Sequence, residues 1–230
     1  MSNNTVHCVY QDSKGFLWFG TDDGLNMFDG YEFSRFYNST NDSGSIAGNA
    51  VFKVKEDSRG QLWMATNNGI DIYDRDLLCF RHIPFIQENN TILYQDYVRD
   101  IIEDDNGDII IITGSEIFIY DTVNSGFIRY LDNIDEYNDF QKEGLRAYLK
   151  DKNNRIWIGT DGGGLNLYNG KDNSFTHFKA DDYNVFGLNN NSVRAIYEDK
   201  QGGKNSIYGN SILTITEDKS GKIYVGGYLH

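Results

Sequence analysis

Gln11-Asp12-Ser13-Lys14-Gly15-Phe16-Leu17-Trp18-Phe19-Gly20-Thr21 is rewritten as Glu56-Asp57-Ser58-Arg59-Gly60-Gln61-Leu62-Trp63-Met64-Ala65-Thr66, and again as Lys150-Asp151-Lys152-Asn153-Asn154-Arg155-Ile156-Trp157-Ile158-Gly159-Thr160. A further copy, Glu103-Asp104-Asp105-Asn106-Gly107-Asp108-Ile109-Ile110-Ile111-Ile112-Thr113, has Ile110 where the others have tryptophan. The aligned aspartates Asp12, Asp57, Asp104, Asp151 and Asp199 recur at an almost constant interval. A fixed period of this length marks an array of supersecondary units.

Each unit reads as four strands. In the first, alternation and turn residues predict strands over 6–11, 16–21, 25–28 and 31–36. Gly15, Gly24 and Gly30 fall at the reversals, where short hairpins need a residue of positive φ. Leu17 and Phe19 point one way and Phe16 and Trp18 the other, so both faces of the sheet need cover. Neighbouring copies supply it. The expected fold is all-β, a β-propeller of four-stranded antiparallel blades, with Trp18, Trp63 and Trp157 in the core between blades. Gly20, Ala65 and Gly159 are read as leaving room for a ring of the adjacent blade.

The connections are regular as well. Phe36 to Val51, Ile83 to Val98, Tyr130 to Leu145 and Phe178 to Val193 are all of one length. Ile46, Leu93, Phe140 and Leu188 are expected to staple these loops to the blade edge. Asn4, Asn49, Asp96, Asn191 and Asn210 are expected to hydrogen-bond the turning backbone. Blades are placed at 3–46, 47–93, 94–140 and 141–188, with partial blades over 189–230. After Asp199 the next copy begins at Asp218, less than half a period on, so the greater part of a full unit is absent there. The chain therefore reads as an incomplete propeller, a truncated piece of a larger protein.

Composition narrows the partners. With 21 basic and 34 acidic side chains among 230 residues, the net charge is −13. That balance opposes binding to nucleic acid or anionic lipid. The longest apolar run, Ile109 to Ile112, is far short of the roughly 18 residues of a membrane span. Met1-Ser2-Asn3-Asn4 has no signal-peptide pattern, and Cys8 and Cys79 make no disulfide framework.

Strand alternation puts the second-to-third-strand turns and the long loops between units on one face. Asp22, Asn67 and Asp161 lie there, and next to the axis come His7, Phe52, Arg99, Arg146 and Arg194, second in each first strand. Arg99, Arg146 and Arg194 would form part of a collar for a carboxylate or sulfate. The alternative is that arginine is the repeat's habitual residue there, paired with local acids. Tyr94, Tyr137 and Tyr183 sit at unaligned loop positions, and an aromatic face beside Asp and Asn acceptors suits a sugar. No metal set, phosphate loop, nucleophile elbow or convincing carboxylate pair is present, so no cofactor or catalytic residue is expected.

The quoted repeat, with Leu145-Arg146, Ile156-Trp157-Ile158-Gly159-Thr160, Gly164-Leu165 and Tyr168, and again Val193-Arg194-Ala195-Ile196-Tyr197-Glu198-Asp199, resembles the two-component regulator propeller repeat. The opening stretch through Phe28-Asp29-Gly30-Tyr31 is similar to the first blade of sensor domains in hybrid two-component systems. The resemblance implies part of a seven-bladed ring, a periplasmic location, and a parent histidine kinase whose sensor binds an oligosaccharide or other small ligand and signals as a homodimer. It implies no enzymatic activity and no membrane contact in this segment. A propeller lyase or hydrolase acting on glycans, and a propeller docking a protein partner, remain the alternatives.

Overall fold

The computed structural model describes residues 1–86, 92–93, 97–104, 106–114, 116–130, 144–169, 171, 174–180, 188, 190–198, 212–217 and 223–227. Every described Asp-x-x-Gly-like turn reverses the chain between two apolar runs. β1 (Val6–Gln11) pairs with β2 (Leu17–Thr21), β5 (Val51–Glu56) with β6 (Leu62–Thr66), β11 (Val98–Glu103) with β12 (Ile109–Thr113), and β15 (Leu145–Lys150) with β16 (Ile156–Thr160). The four registers agree to the residue, with Gln11 opposite Leu17, Glu56 opposite Leu62, Glu103 opposite Ile109 and Lys150 opposite Ile156.

Buried aspartate builds that turn. Asp12 Oδ1 accepts the backbone N–H groups of Lys14 and Phe16, both at 3.0 Å, and Oδ2 accepts Trp18 Nε1–H at 2.8 Å. Asp57 holds Arg59, Gln61 and Trp63 in the same way, and Asp151 holds Asn153, Arg155 and Trp157. One carboxylate thus caps the hairpin and satisfies the indole of a buried ring. The glutamate before the aspartate clasps the preceding blade: Glu56 accepts Ser13 N–H at 2.6 Å, Glu103 accepts Ser58 N–H at 2.8 Å, and Glu198 accepts Lys152 N–H at 2.8 Å.

The remaining strands complete the blades. β3 (Leu25–Phe28) and β4 (Phe33–Phe36) follow β2, β7 (Gly69–Asp74) and β8 (Cys79–Ile83) follow β6, and β17 (Leu165–Asn169) and β18 (Ser174–Phe178) follow β16, each set a four-stranded antiparallel sheet in sequence order. β13 (Ile117–Asp121) and β14 (Gly126–Arg129) extend the third. The connection after Ile83, expected as a loop, contributes β9 (Phe85–Ile86) and β10 (Ile92–Leu93) to that sheet, with β9 parallel to β14. Phe85 drives this by packing on Phe118 and Phe127, and the Pro84 carbonyl accepts Phe127 N–H at 2.7 Å. β19 (Ile212–Glu217) and β20 (Ile223–Gly227) form a hairpin. No helix occurs among the described residues, and none is long and apolar enough to cross a membrane.

Two compact units divide the chain, Met1–Thr113 with Ile117–Tyr130, and Gly114–Glu116 with Leu131–His230. In the first, Trp18, Leu25 and Ile46 pack with Val54, Leu62, Met64, Tyr73 and Phe80 of the next blade. Trp63, Ala65 and Ile72 on the opposite face pack with Val98, Ile101, Ile109, Ile111 and Phe127 of the third. All five residues of β6 are buried, as a strand sandwiched between neighbours must be. Burying the indoles of Trp18 and Trp63 contributes roughly 3 kcal/mol each by transfer from water, whereas Trp157, expected in the core, stays partly exposed beneath Arg155. Ile110 is fully buried at the tryptophan's place, so the third copy keeps its strand without the indole. This packing is that of a β-propeller.

One expectation needs correcting. A Cβ on Gly20 would stand 2.5 Å from the Val51 carbonyl oxygen, and one on Gly159 would stand 2.4 Å from the Val193 carbonyl oxygen. Glycine makes room for the backbone of the next copy, at Val51 where β5 opens and at Val193, not for a ring.

Candidate ligand site on the inner strands

All four innermost strands with described side chains carry the same irregularity. The pairing slips by one residue between Val6 and Cys8, Val51 and Lys53, Val98 and Asp100, and Leu145 and Ala147. The extra residues are His7, Phe52, Arg99 and Arg146. A β-bulge leaves its residue out of the ladder and re-aims its side chain. The axial position read from sequence is therefore a bulge position.

In the second unit the bulged Arg146 donates Nε–H to Asp161 Oδ2 at 3.0 Å and adds a second bond through Nη2. Arg194 reaches Asp161 Oδ1 through Nε at 3.2 Å and Nη2 at 3.1 Å, and the Ser192 hydroxyl donates to the same oxygen at 2.6 Å. Burial alone would raise this carboxyl, but the bonds from Ser192, Arg146 and Arg194 outweigh it and hold Asp161 below the usual carboxylate range. Two of the three collar arginines thus converge on one local acid.

The first unit repeats the pattern with different chemistry. His7 Nε2 lies 2.6 Å from Asp22 Oδ1, the position aligned with Asp161. Asn67, at the same place in the second blade, takes a backbone role: its Oδ1 accepts Ala50 N–H at 3.2 Å and its N–H donates to the Ala50 carbonyl at 2.9 Å. Arg99 faces no aligned acid, because Gly114 follows Thr113 in the sequence. Its guanidinium lies over the Tyr97 ring at 5.6 Å, and its Nε is buried with no hydrogen-bond partner among the described residues.

Tyr97 in turn lies 4.7 Å from Phe52, and Phe52 lies 5.0 Å from His7, centroid to centroid. His7, Phe52, Tyr97 and Arg99 so form one row across the inner strands of three blades. The next residues along those strands are Cys8, Lys53 and Asp100, with Lys53 Nζ 2.9 Å from Asp100 Oδ1. A cleft of about 460 Å³ is walled by these three with Val9, Tyr10, Val54, Lys55, Ile101 and Ile102. Burial pushes the Cys8 thiol up, which keeps it protonated.

Tyr94 and Tyr137, expected near a ligand, lie outside the described residues, as does Tyr183. Sequence reasoning missed Tyr97, although a signal exists: it holds the place of Thr5, Ala50, Gly144 and Ser192, an aromatic among small residues. His82 and His177 lie on outer strands, bonded to Asp71 at 2.5 Å and Asn166 at 2.7 Å. Among the described residues no group of three or more His, Cys, Asp or Glu side chains could hold a metal ion.

Stacked four-stranded sheets and a cleft on their inner strands define the class, a β-propeller. Residues 1–23 and 45–68, in the first two copies of the repeat, match the family described as two component regulator propeller. Histidine kinase P4 of Formosa agariphila is 47% identical over 47 residues, which is 20% of this chain and 3% of that protein. The extracellular domain of the putative hybrid two component system BT4673 from B. thetaiotaomicron superposes with a TM-score of 0.63 at 22% identity, covering 97% of this chain and 28% of that one. That of BT3049 from the same organism gives 0.55 at 22%, covering 99% and 39%. Virginiamycin B lyase from Staphylococcus aureus gives 0.55 at 13%, covering 96% and 62%. These structural likenesses establish the fold, and the chain spans well under half the length of the sensor domains it resembles.

Proposed function

We propose that this chain is part of a ligand-sensing propeller of a membrane-bound hybrid two-component regulator, lying in the periplasm and relaying occupancy to a histidine kinase. Its ligand is an oligosaccharide held on the inner strands. The observation that carries the reading is the row of Phe52 and Tyr97 rings beside Arg99 and the Lys53–Asp100 pair. Flat apolar faces receive the C–H face of a sugar, while adjacent charged groups bond its hydroxyls. The repeat type and the likeness to extracellular domains of hybrid two component systems support the same class.

Calorimetric titration with host and plant oligosaccharides is the test. Saturable heat with at least one class is expected, and silence across all of them overturns the reading. A glycan lyase or hydrolase is the competing reading, favoured only by the His7–Asp22 pair at the end of the row. Sustained release of reducing ends, abolished in His7→Ala, would replace sensing by catalysis.

A further inference from the structure

We infer that the saccharide is acidic and that Arg99 receives its carboxylate or sulfate, with the sugar ring laid on Tyr97 and Phe52. This deepens the sensor reading and rests on it. The argument begins with the repeat's own rule. Where the bulge carries an arginine or a histidine, the residue after the second strand pairs with it: Asp22 with His7, Asp161 with Arg146. In the third copy the cation is kept and the acid is glycine, Gly114.

Among the described residues Arg99 is consequently the bulge arginine without an internal carboxylate, and its Nε–H is shielded from water with no described group to donate to. A buried donor left unsatisfied is costly, and an anionic acceptor recovers that penalty as a charge-assisted bond. Stacking on Tyr97 holds the guanidinium plane in place, so little rotamer freedom is lost when its fork engages a planar carboxylate or a sulfate. Tyr97 keeps 38% of its surface exposed and Phe52 is half-buried, leaving ring surface available beside the cation. A neutral sugar would satisfy the ring faces and leave the guanidinium charge uncompensated. In a chain of net charge −13, recognition of an anion must be this local.

The full chain is titrated with trigalacturonate, carrying carboxylates only, a carrageenan oligosaccharide, carrying sulfates only, and neutral galactotriose. At least one acidic ligand is expected to bind about ten times more tightly than galactotriose, and the stronger one identifies the anion. Arg99→Gln is expected to weaken that ligand about 10- to 100-fold and to leave galactotriose unchanged. Arg99→Lys, which keeps the charge but not the fork, falls between and serves if the glutamine variant does not fold. Tyr97→Ala weakens acidic and neutral ligands alike. Equal affinity for neutral and acidic sugars, or indifference to Arg99→Gln with the unfolding midpoint intact, overturns this inference and leaves the sensor reading standing. If none of the three sugars binds, this inference falls, and the sensor reading falls with it only when every host and plant oligosaccharide class is silent too.

Discussion

Asp57 receives four hydrogen bonds while almost fully buried, two from backbone N–H groups, one from Arg59 Nη2 at 3.3 Å and one, shorter, from the indole of Trp63 at 3.0 Å. Trp63→Phe keeps most of the apolar contact but leaves the buried Asp57 Oδ2 with only the longer bond from Arg59, so a loss of about 1–3 kcal/mol is expected in urea unfolding. Asp151 shows the same chemistry as titration. Burial opposes its ionisation, but bonds from Trp157, Arg155 and Asn153 overcome this and bring its pKa down to about 2. Its contribution is present above the ordinary carboxylate pKa of about 4 and disappears as pH falls towards 2. Asp151→Asn should flatten acid unfolding in that window. On the outer strands the sign reverses. The Asp71 bond raises the His82 pKa, and burial raises that of Asp71. Both groups bind protons more tightly when folded, so stability is greatest below the usual histidine pKa and declines as pH rises through the raised one. Urea midpoints at pH 6 and pH 9 should differ in the wild type and converge in His82→Gln. The spacing of aspartate, glycine and tryptophan was legible; the bond from indole to carboxylate was not, because the strand pattern assigned the ring to the core and stopped there.

At the scale of elements, Glu56 and Glu103, which end β5 and β11, tie their blades to the preceding ones. Glu56 accepts from Ser13 N–H, from the Ser13 hydroxyl and from Arg75 Nη2. Glu56→Ala removes all three and should lower the unfolding free energy by roughly 2–3 kcal/mol, since it also leaves Arg75 with only Asp12. Close approach makes the other tie. Gly20→Ala puts a methyl against the Val51 carbonyl, which belongs to another strand's backbone and cannot rotate away, and a loss of about 1–3 kcal/mol is expected in the same assay. Strand positions and turns were readable from alternation and glycine punctuation. So was the staple at Ile46, which is fully buried, and so was the loop asparagine at Asn49, whose Oδ1 accepts Asn38 N–H at 2.7 Å; Phe140, Asp96 and Asn210 lie outside the described residues. The extra strand β9 was not readable, because it is held by a parallel pairing with β14, which lies beyond β11, β12 and β13 in the chain.

At the scale of the whole molecule, the first unit stacks three sheets, and the outer face of its first sheet is thinly covered. Val9 is 59% exposed and Phe33 39%, with Phe33 leaning on Phe19 and Phe28. Exposed apolar sheet faces favour self-association. Phe33→Gln is expected to reduce concentration-dependent sedimentation while changing the unfolding midpoint little. The inner wall shows how far sequence reached into function. Alignment brought Arg99, Arg146 and Arg194 to equivalent places, yet their fates diverge. Two are spent on Asp161, and one is left against Tyr97.

The repeat, its four strands per unit, its turns and its buried indoles were determined by the amino-acid sequence alone, because hydrogen bonds within one hairpin and alternating hydrophobicity are local. Tertiary structure decided which bulged side chains meet. His7, Phe52 and Arg99 stand a full repeat apart along the chain, and with Tyr97 they form a row only once β1, β5 and β11 lie side by side. Which ring or acid a bulged side chain meets turns on contacts between residues far apart in the chain, and no local pattern carries that distance.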